Sequence, residues 1–249
     1  MGILKKLTEE YFGDTVREED EINIDGLDVE IVSFTDNNDK FHKRGYKPKD
    51  KDTLKELLKR MIKIRGDEGD FNDIDTSDIE SMKFLFNYNS TFNGDITGWN
   101  VSSVRNMRNM FAYATSFNQP IGNWEFPNVK DMNNMFYNAI SFNQPIGKWK
   151  FPNVKNMNRM FWGASSFNQP IGNWKFPNVE NMEFMFSYAE SFNQPIGDWE
   201  FPNVTDMSSM FYGAASFDQD LSKWDLKGKE KIDMFFYCPI KDEYKPKMK

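Results

Sequence analysis

Cysteine and histidine are all but missing from this chain, and each absence closes a class of chemistry. Cys238 and His42 are single occurrences. One cysteine forms no intrachain disulfide, so the fold rests on packing. One of each also leaves no Cys–His nucleophile pair, no histidine acid–base dyad and no zinc set of the usual kind. Long apolar runs are lacking too, since none approaches the roughly 18 residues a bilayer crossing needs. Met1-Gly-Ile-Leu-Lys-Lys lacks the apolar stretch of a secretory signal, and Lys6 breaks the myristoylation pattern. Positive charge is in deficit, with 31 Lys and Arg against 38 Asp and Glu and a formal net charge of -7. That balance argues against a nucleic-acid partner, although the tail from Lys241 to Lys249 is basic. The chain holds no Gly-rich phosphate loop. Asp67, Asp70, Asp73, Asp75 and Asp78 are dense enough to suggest calcium, but Ile74 stands at a ligand position of the calcium-loop template and no glycine follows at the turn. A solvated loop is the expectation there, with no metal, no cofactor and no catalytic residue.

What is present is repetition. Phe117-Asn-Gln-Pro-Ile-Gly-Asn-Trp124 returns from Phe142 to Trp149, Phe167 to Trp174 and Phe192 to Trp199, with looser copies from Phe92 and Phe217, at a period of 25 residues. A unit this short cannot bury its own apolar face, so the copies are expected to stack as a repeat solenoid. Equivalent positions then form columns. Trp99 to Trp224 make one, and ten of the 15 methionines make two more, from Met107 to Met207 and from Met110 to Met210. Phe111, Phe136, Phe161, Phe186, Phe211 and Phe236 follow, with Val104 to Val204 and Ile96 to Ile196 completing the apolar set. A cofactor box would not recur unchanged in every copy, so these columns are core.

Within a repeat, Val129, Met132, Met135, Phe136 and Ala139 have the spacing of a short helix with one buried face, and Asn128 and its equivalents stand where an N-cap belongs. The segment from Phe117 to Phe126 reads as extended chain with a very short strand near Ile121 to Trp124. Parallel pairing of seven such coils at about 4.8 Å would span roughly 30 to 35 Å. Asn93, Asn118, Asn143, Asn168 and Asn193 are expected to form a hydrogen-bonded ladder between coils, and Asp218 replaces them in the last full copy.

Outside the regular copies, residues 1–45 are read as an attachment segment, with an amphipathic start (Ile3, Leu4, Leu7, Tyr11), an acidic run, alternating Leu27, Val29 and Ile31, and a hairpin turn at Asp25-Gly26. Residues 46–66 hold a capping helix, with Asp50 or Asp52 as cap, Leu54, Leu57, Leu58, Met61 and Ile62 on one face, and Gly66 as stop. The seven-coil array covers 67–241 and a basic tail 242–249. Its first coil is degenerate, with Phe71, Ile74, Ile79, Met82, Leu85 and Phe86 in core columns, and at the far end Lys229 falls in the valine column and Leu221 in the isoleucine column.

Asn72-Asp-Ile-Asp-Thr-Ser-Asp-Ile-Glu-Ser-Met82, the helix before it and the motif Trp-x-Val/Phe-x-x-Val-x-x-Met-x-x-Met-Phe-x-x-Ala-x-x-Phe-Asn resemble the BspA-like leucine-rich-repeat surface proteins over roughly residues 46 to 240. Here Met, Phe and Trp replace most of the leucines. The resemblance implies a leucine-rich-repeat-like curved solenoid and a binding or adhesion role, on a cell surface or in a virus particle, without enzymatic activity. Three roles follow as expectations: a protein-interaction module, a structural component of a larger particle such as a virion docked through residues 1–45, and a glycan-binding adhesin. The export signal usual in such proteins is not found at this N-terminus, which favours a virion or cytoplasmic setting over the surface.

One position pair varies while its surroundings stay fixed. After the Met-Phe columns the copies read Asn87-Tyr88, Ala112-Tyr113, Tyr137-Asn138, Trp162-Gly163, Ser187-Tyr188, Tyr212-Gly213 and Tyr237-Cys238. Each copy keeps one large ring, but its place slides by a residue, as it would at a partly exposed edge. The rings either cover the seam between coils or form a contact surface, and Tyr113, Tyr137, Trp162, Tyr188 and Tyr212 are the candidate partner-binding residues.

Overall fold

The computed structural model describes residues 22–35 and 42–247; the amphipathic start and the acidic run expected near the N-terminus lie outside them. Strand β1 (Val29–Thr35) pairs antiparallel with β2 (His42–Pro48), from Val29↔Pro48 to Thr35↔His42. Asp25-Gly26 is a turn ahead of β1, with Gly26 at φ 76° and Leu27 N–H bonded to Ile24 O, and the connection between the strands comes later.

Helix α1 (Lys51–Arg65) forms where capping chemistry puts it. The Asp50 carboxylate accepts the Thr53 N–H at 2.8 Å, worth about 1 kcal/mol. Asp52 lies in the first turn, Lys63 and Arg65 in the last, and Gly66 ends the helix at φ 79°. Leu54, Leu57, Leu58 and Met61 are buried in the same core as the first repeat. A domain boundary at 45/46 does not survive. Tyr46, within β2, bridges in parallel to Ile74 of the first repeat, Ile22 is buried in the common core, and Arg60 donates to the Asn23 and Asp25 carbonyls. The hairpin and α1 are one cap.

Beyond the cap each repeat lies on its neighbour. Parallel bridges link Ser81, Asn106, Asp131, Asn156, Asn181, Asp206 and Glu230 in series. From each bridge, alternate amides reach into the following repeat: Met107, Asn109, Phe111 and Tyr113 N–H bond to the carbonyls of Asp131, Asn133, Met135 and Tyr137 at 2.7–2.9 Å. The intervening amides close turns at home, as Met110 N–H to Met107 O and Ala114 N–H to Phe111 O. This pattern excludes the helix expected from Val129 to Ala139. An α-helix needs every N–H for its own fourth-preceding carbonyl, and here half of them are engaged outside the segment. Left-handed residues interrupt it twice per repeat, at Asn109 and Tyr113, then Asn134 and Asn138. The chain turns every three residues or so, which places the same side chains on one face as a helix would.

The N-cap assignment changes with it. Asn128 Nδ2 donates to the Ser102 carbonyl of the preceding repeat at 2.8 Å, and Asn153, Asn178 and Asn203 donate likewise to Pro127, Pro152 and Pro177. The side chains that do accept a local amide are the bridge residues, Asp131 from Asn133 N–H and Asn156 from Asn158 N–H, both at 2.9 Å. Nor does Ile121 to Trp124 form a strand; it closes as a turn, Trp124 N–H to Ile121 O at 3.1 Å. Gly122 is required there because an added Cβ would meet the Pro145 carbonyl of the next repeat.

The core columns stand as the periodicity predicts. Met107, Met132, Met157, Met182 and Met207 are fully buried, as are Met110, Met135, Met160, Met185 and Met210. Phe rings stack down the array, Phe111 on Phe136 and Phe136 on Phe161 at 5.5 Å between centroids. Indole N–H groups of Trp149, Trp174, Trp199 and Trp224 each donate to the isoleucine carbonyl 28 residues earlier. The asparagine ladder is continuous: Asn118, Asn143, Asn168, Asn193 and Asp218 N–H each bond the Oδ1 one repeat back at 2.9–3.0 Å.

The last repeat is one residue short, because Glu230 bridges Asp206 at a spacing of 24 where the others keep 25. Phe235 therefore stacks on Phe211 at 5.8 Å and holds the phenylalanine column, while Phe236 is displaced to the surface. Lys229 keeps the backbone place of the valine column, its N–H turning to Leu226 O as Val104 N–H does to Val101 O, but its side chain is half-buried and its ammonium bonds the Phe201 and Val204 carbonyls. Trp149→Ala, at 3% exposure and carrying a buried hydrogen bond, is expected to lose about 3–5 kcal/mol in urea unfolding. Lys150→Ala, exposed beside it, should stay within about 0.5 kcal/mol.

Candidate interaction surface

Two adjacent positions at the end of the turn segment share one large ring per repeat. The first position sits on the local turn, and the second, at left-handed φ, bonds its N–H into the next repeat in all but the shortened last one, where the pair shifts to Phe236-Tyr237. The occupants alternate by volume. Where the second holds Tyr88, Tyr113 or Tyr188, the first holds Asn87, Ala112 or Ser187; where the first holds Tyr137, Trp162 or Tyr212, the second holds Asn138, Gly163 or Gly213. Ala112 and Ser187 are buried, and Ser187 Oγ donates to the Ser209 carbonyl at 2.6 Å.

Sliding in sequence thus becomes contact in space. Tyr88 stacks on Tyr113 at 4.6 Å, Tyr113 meets Tyr137 at 5.3 Å, and Tyr137 stacks on Trp162 at 4.5 Å with only 4° between planes. Trp162 meets Tyr188 edge-on at 5.3 Å, Tyr188 meets Tyr212 at 5.4 Å, and Tyr212 touches both Phe236 and Tyr237. All five candidate residues therefore lie in one unbroken row, which the displaced Phe236 extends. Tyr88 and Tyr237, at the two ends, are 69% and 74% exposed, and Tyr188 is 42% exposed. Tyr113, Tyr137, Trp162 and Tyr212 are half-buried against one another, so the rings cover the seam and still present an outer face.

Burial pushes the Tyr137 phenol above its ordinary value, helped by a hydrogen bond with Tyr113, and the same two causes act on Tyr212 through Tyr188. Both shifts favour the protonated phenol of Tyr137 and Tyr212, a hydrogen-bond donor. Arg159 lies over the Phe184 ring at 4.4 Å and flanks the middle of it. Phe236 was not legible as part of this surface, because a strict period put it in the core; the missing residue between Leu226 and Glu230, where Lys227-Gly228-Lys229 stands for Pro202-Asn203-Val204-Thr205, was the available signal.

The acidic cluster of the first repeat is engaged locally. Asp73 takes a bidentate pair of bonds from Arg65 at 2.7 Å, Lys47 lies between Asp78 and Asp75, and Asp75 caps the Ser77 amide. Among the described residues no group of three or more His, Cys, Asp or Glu is placed to hold a metal ion, and no helix is long and apolar enough to cross a membrane.

A family model described as "Mycoplasma protein of unknown function, DUF285" matches residues 53–163 and 144–243. The chain belongs to this family. The match supports a BspA-related repeat family. No curated protein and no solved structure matches the chain.

The volume alternation can be tested at Gly213, where an added Cβ would approach the Tyr188 ring to 2.9 Å at φ 65°. Gly213→Ala is expected to destabilise by about 1–3 kcal/mol, from the left-handed backbone and the clash together. In a Tyr188→Ala background the penalty should shrink to the backbone part, about 1 kcal/mol, measured as a double-mutant cycle of denaturation midpoints.

Proposed function

We propose that the repeats form a leucine-rich-repeat-like solenoid of the 25-residue BspA type, and that the chain is a non-enzymatic protein-interaction module. The contact surface is the row from Tyr88 through Trp162 to Tyr237. The carrying observation is continuity: seven successive repeats each supply a ring in contact with the next, although sequence register is broken to achieve it. Packing alone would keep one column, as the Phe and Met positions do.

Physical chemistry favours such a row as a binding surface. Tyr and Trp offer large contact area with few rotatable bonds, and rings already held by stacking lose little entropy on association. The tyrosine hydroxyls offer hydrogen-bond donors to backbone carbonyls of a protein partner. An adhesive role at a surface is consistent with the family resemblance, and the stacked architecture suits a long, shallow contact rather than an enclosed small-molecule site.

The test compares wild type with the row variant Tyr137→Ser, Trp162→Ser, Tyr188→Ser and a control variant Lys150→Ser, Lys175→Ser, whose sites are exposed on other parts of the repeats. Affinity capture from host lysate should return a defined protein set with wild type and control, and at least about tenfold less with the row variant, the loss expected when anchors of about 1.4 kcal/mol or more are removed. Far-ultraviolet spectra must agree among the three. Equal capture by a folded row variant would overturn the proposal, and retention on a glycan array by wild type alone would move the surface to carbohydrate.

A further inference from the structure

Every interior repeat gives four amides to the repeat after it and receives four on its carbonyls from the repeat before. The two ends cannot do both. In the last repeat the four amides are those of Lys231, Asp233, Phe235 and Tyr237, and none finds an acceptor among the described residues. In the first, the carbonyls of Ser81, Lys83, Leu85 and Asn87 receive no donor among the described residues. One end is a row of donors alone, the other a row of acceptors alone, and both have the spacing that already pairs six times inside the molecule.

The caps leave this sector open at both ends. The N-terminal cap meets the first repeat through Tyr46, at Asp73 and Asp75, away from 81–87. The C-terminal tail folds over 217–221, where Lys241 N–H bonds Asp218 Oδ1 and Leu221 N–H bonds Tyr244 O, away from 231–237. Exposed apolar side chains gather at the open donor edge: Ile232 is 69% and Tyr237 74% exposed, and Phe236 47%.

We propose that these two edges are the halves of one interface, and that a second copy of this chain seats its first repeat on the last repeat of the copy before it. Four amide-to-carbonyl bonds continue the inter-repeat pattern across the junction, Ile232 and Tyr237 are covered, and the aromatic row runs on from Tyr237 to Tyr88 of the next copy. The contact is head-to-tail and does not close, so assembly yields linear oligomers. Both caps stand over the neighbouring sector, which confines the contact to one side and makes association weak and reversible. The interface shares Tyr88 and Tyr237 with the proposed partner surface but rests on the unpaired backbone edges, and its test reads the mass of the chain alone, so either reading can fail without the other.

Sedimentation equilibrium of the full chain over about a hundredfold concentration range tests it, because a non-closing interface gives a mass that keeps rising with concentration. The donor-edge variant Ile232→Glu, Tyr237→Glu and the acceptor-edge variant Asn87→Glu, Tyr88→Glu should each remain at monomer mass while keeping wild-type melting temperature. Mixed one to one, they should form a dimer and nothing larger, since one intact edge of each remains. A wild-type mass that stays monomeric at every concentration overturns the proposal. So does a dimer formed by either variant alone, which would mean a two-fold contact, or a mixture that stays monomeric.

Discussion

The structure depends on a division of labour among backbone amides. In the turn segment of each repeat, every second N–H belongs to the next repeat and the rest stay at home. Buried peptide groups must be paired, and this arrangement pairs them with almost no regular secondary structure: α1 is the only α-helix among the described residues. Left-handed residues at two places per repeat are the conformational consequence. Each costs about 1–2 kcal/mol outside glycine, and asparagine at Asn109, Asn134 and Asn138, with glycine at Gly163 and Gly213, lowers that cost where it occurs.

Side chains then repeat what the backbone begins. The Asn93 to Asp218 ladder bonds the backbone of one repeat to the carboxamide of the repeat before, and the indoles of Trp149, Trp174, Trp199 and Trp224 reach back to isoleucine carbonyls in the same sense, whereas the buried Trp124 Nε1 has no partner among the described residues. Both tie polar groups in a core of methionine and aromatic rings, where an unpaired donor would cost about 1–3 kcal/mol. Methionine suits the column positions because its flexible thioether fills the irregular space between stacked rings. Order in this molecule is therefore transmitted from neighbour to neighbour, and the same rule that joins interior repeats leaves polar, unequal ends.

The aromatic row follows from that rule. Its second position is left-handed and supplies an inter-repeat amide, so it cannot move; only the side chain is free to vary. Transferring the ring to the first position and placing glycine or asparagine at the second keeps the backbone intact while holding ring-to-ring contact. A surface assembled this way is rigid without being buried.

The sequence by itself determined the 25-residue period, the core columns, the capped helix with Asp50 and Gly66 at its ends, and the asparagine ladder. Each of these is a local or strictly periodic property, written in residue identity. Tertiary structure alone decided three others. Turns replaced the helix from Val129 to Ala139, because half of its amides find acceptors in the next repeat and no single-repeat pattern reveals that competition. The hairpin joined the cap, because Tyr46 pairs with a carbonyl and an amide some 30 residues away in sequence. The shortened last repeat moved Phe236 from the core to the surface, because bridge partners, not residue counts, set the register.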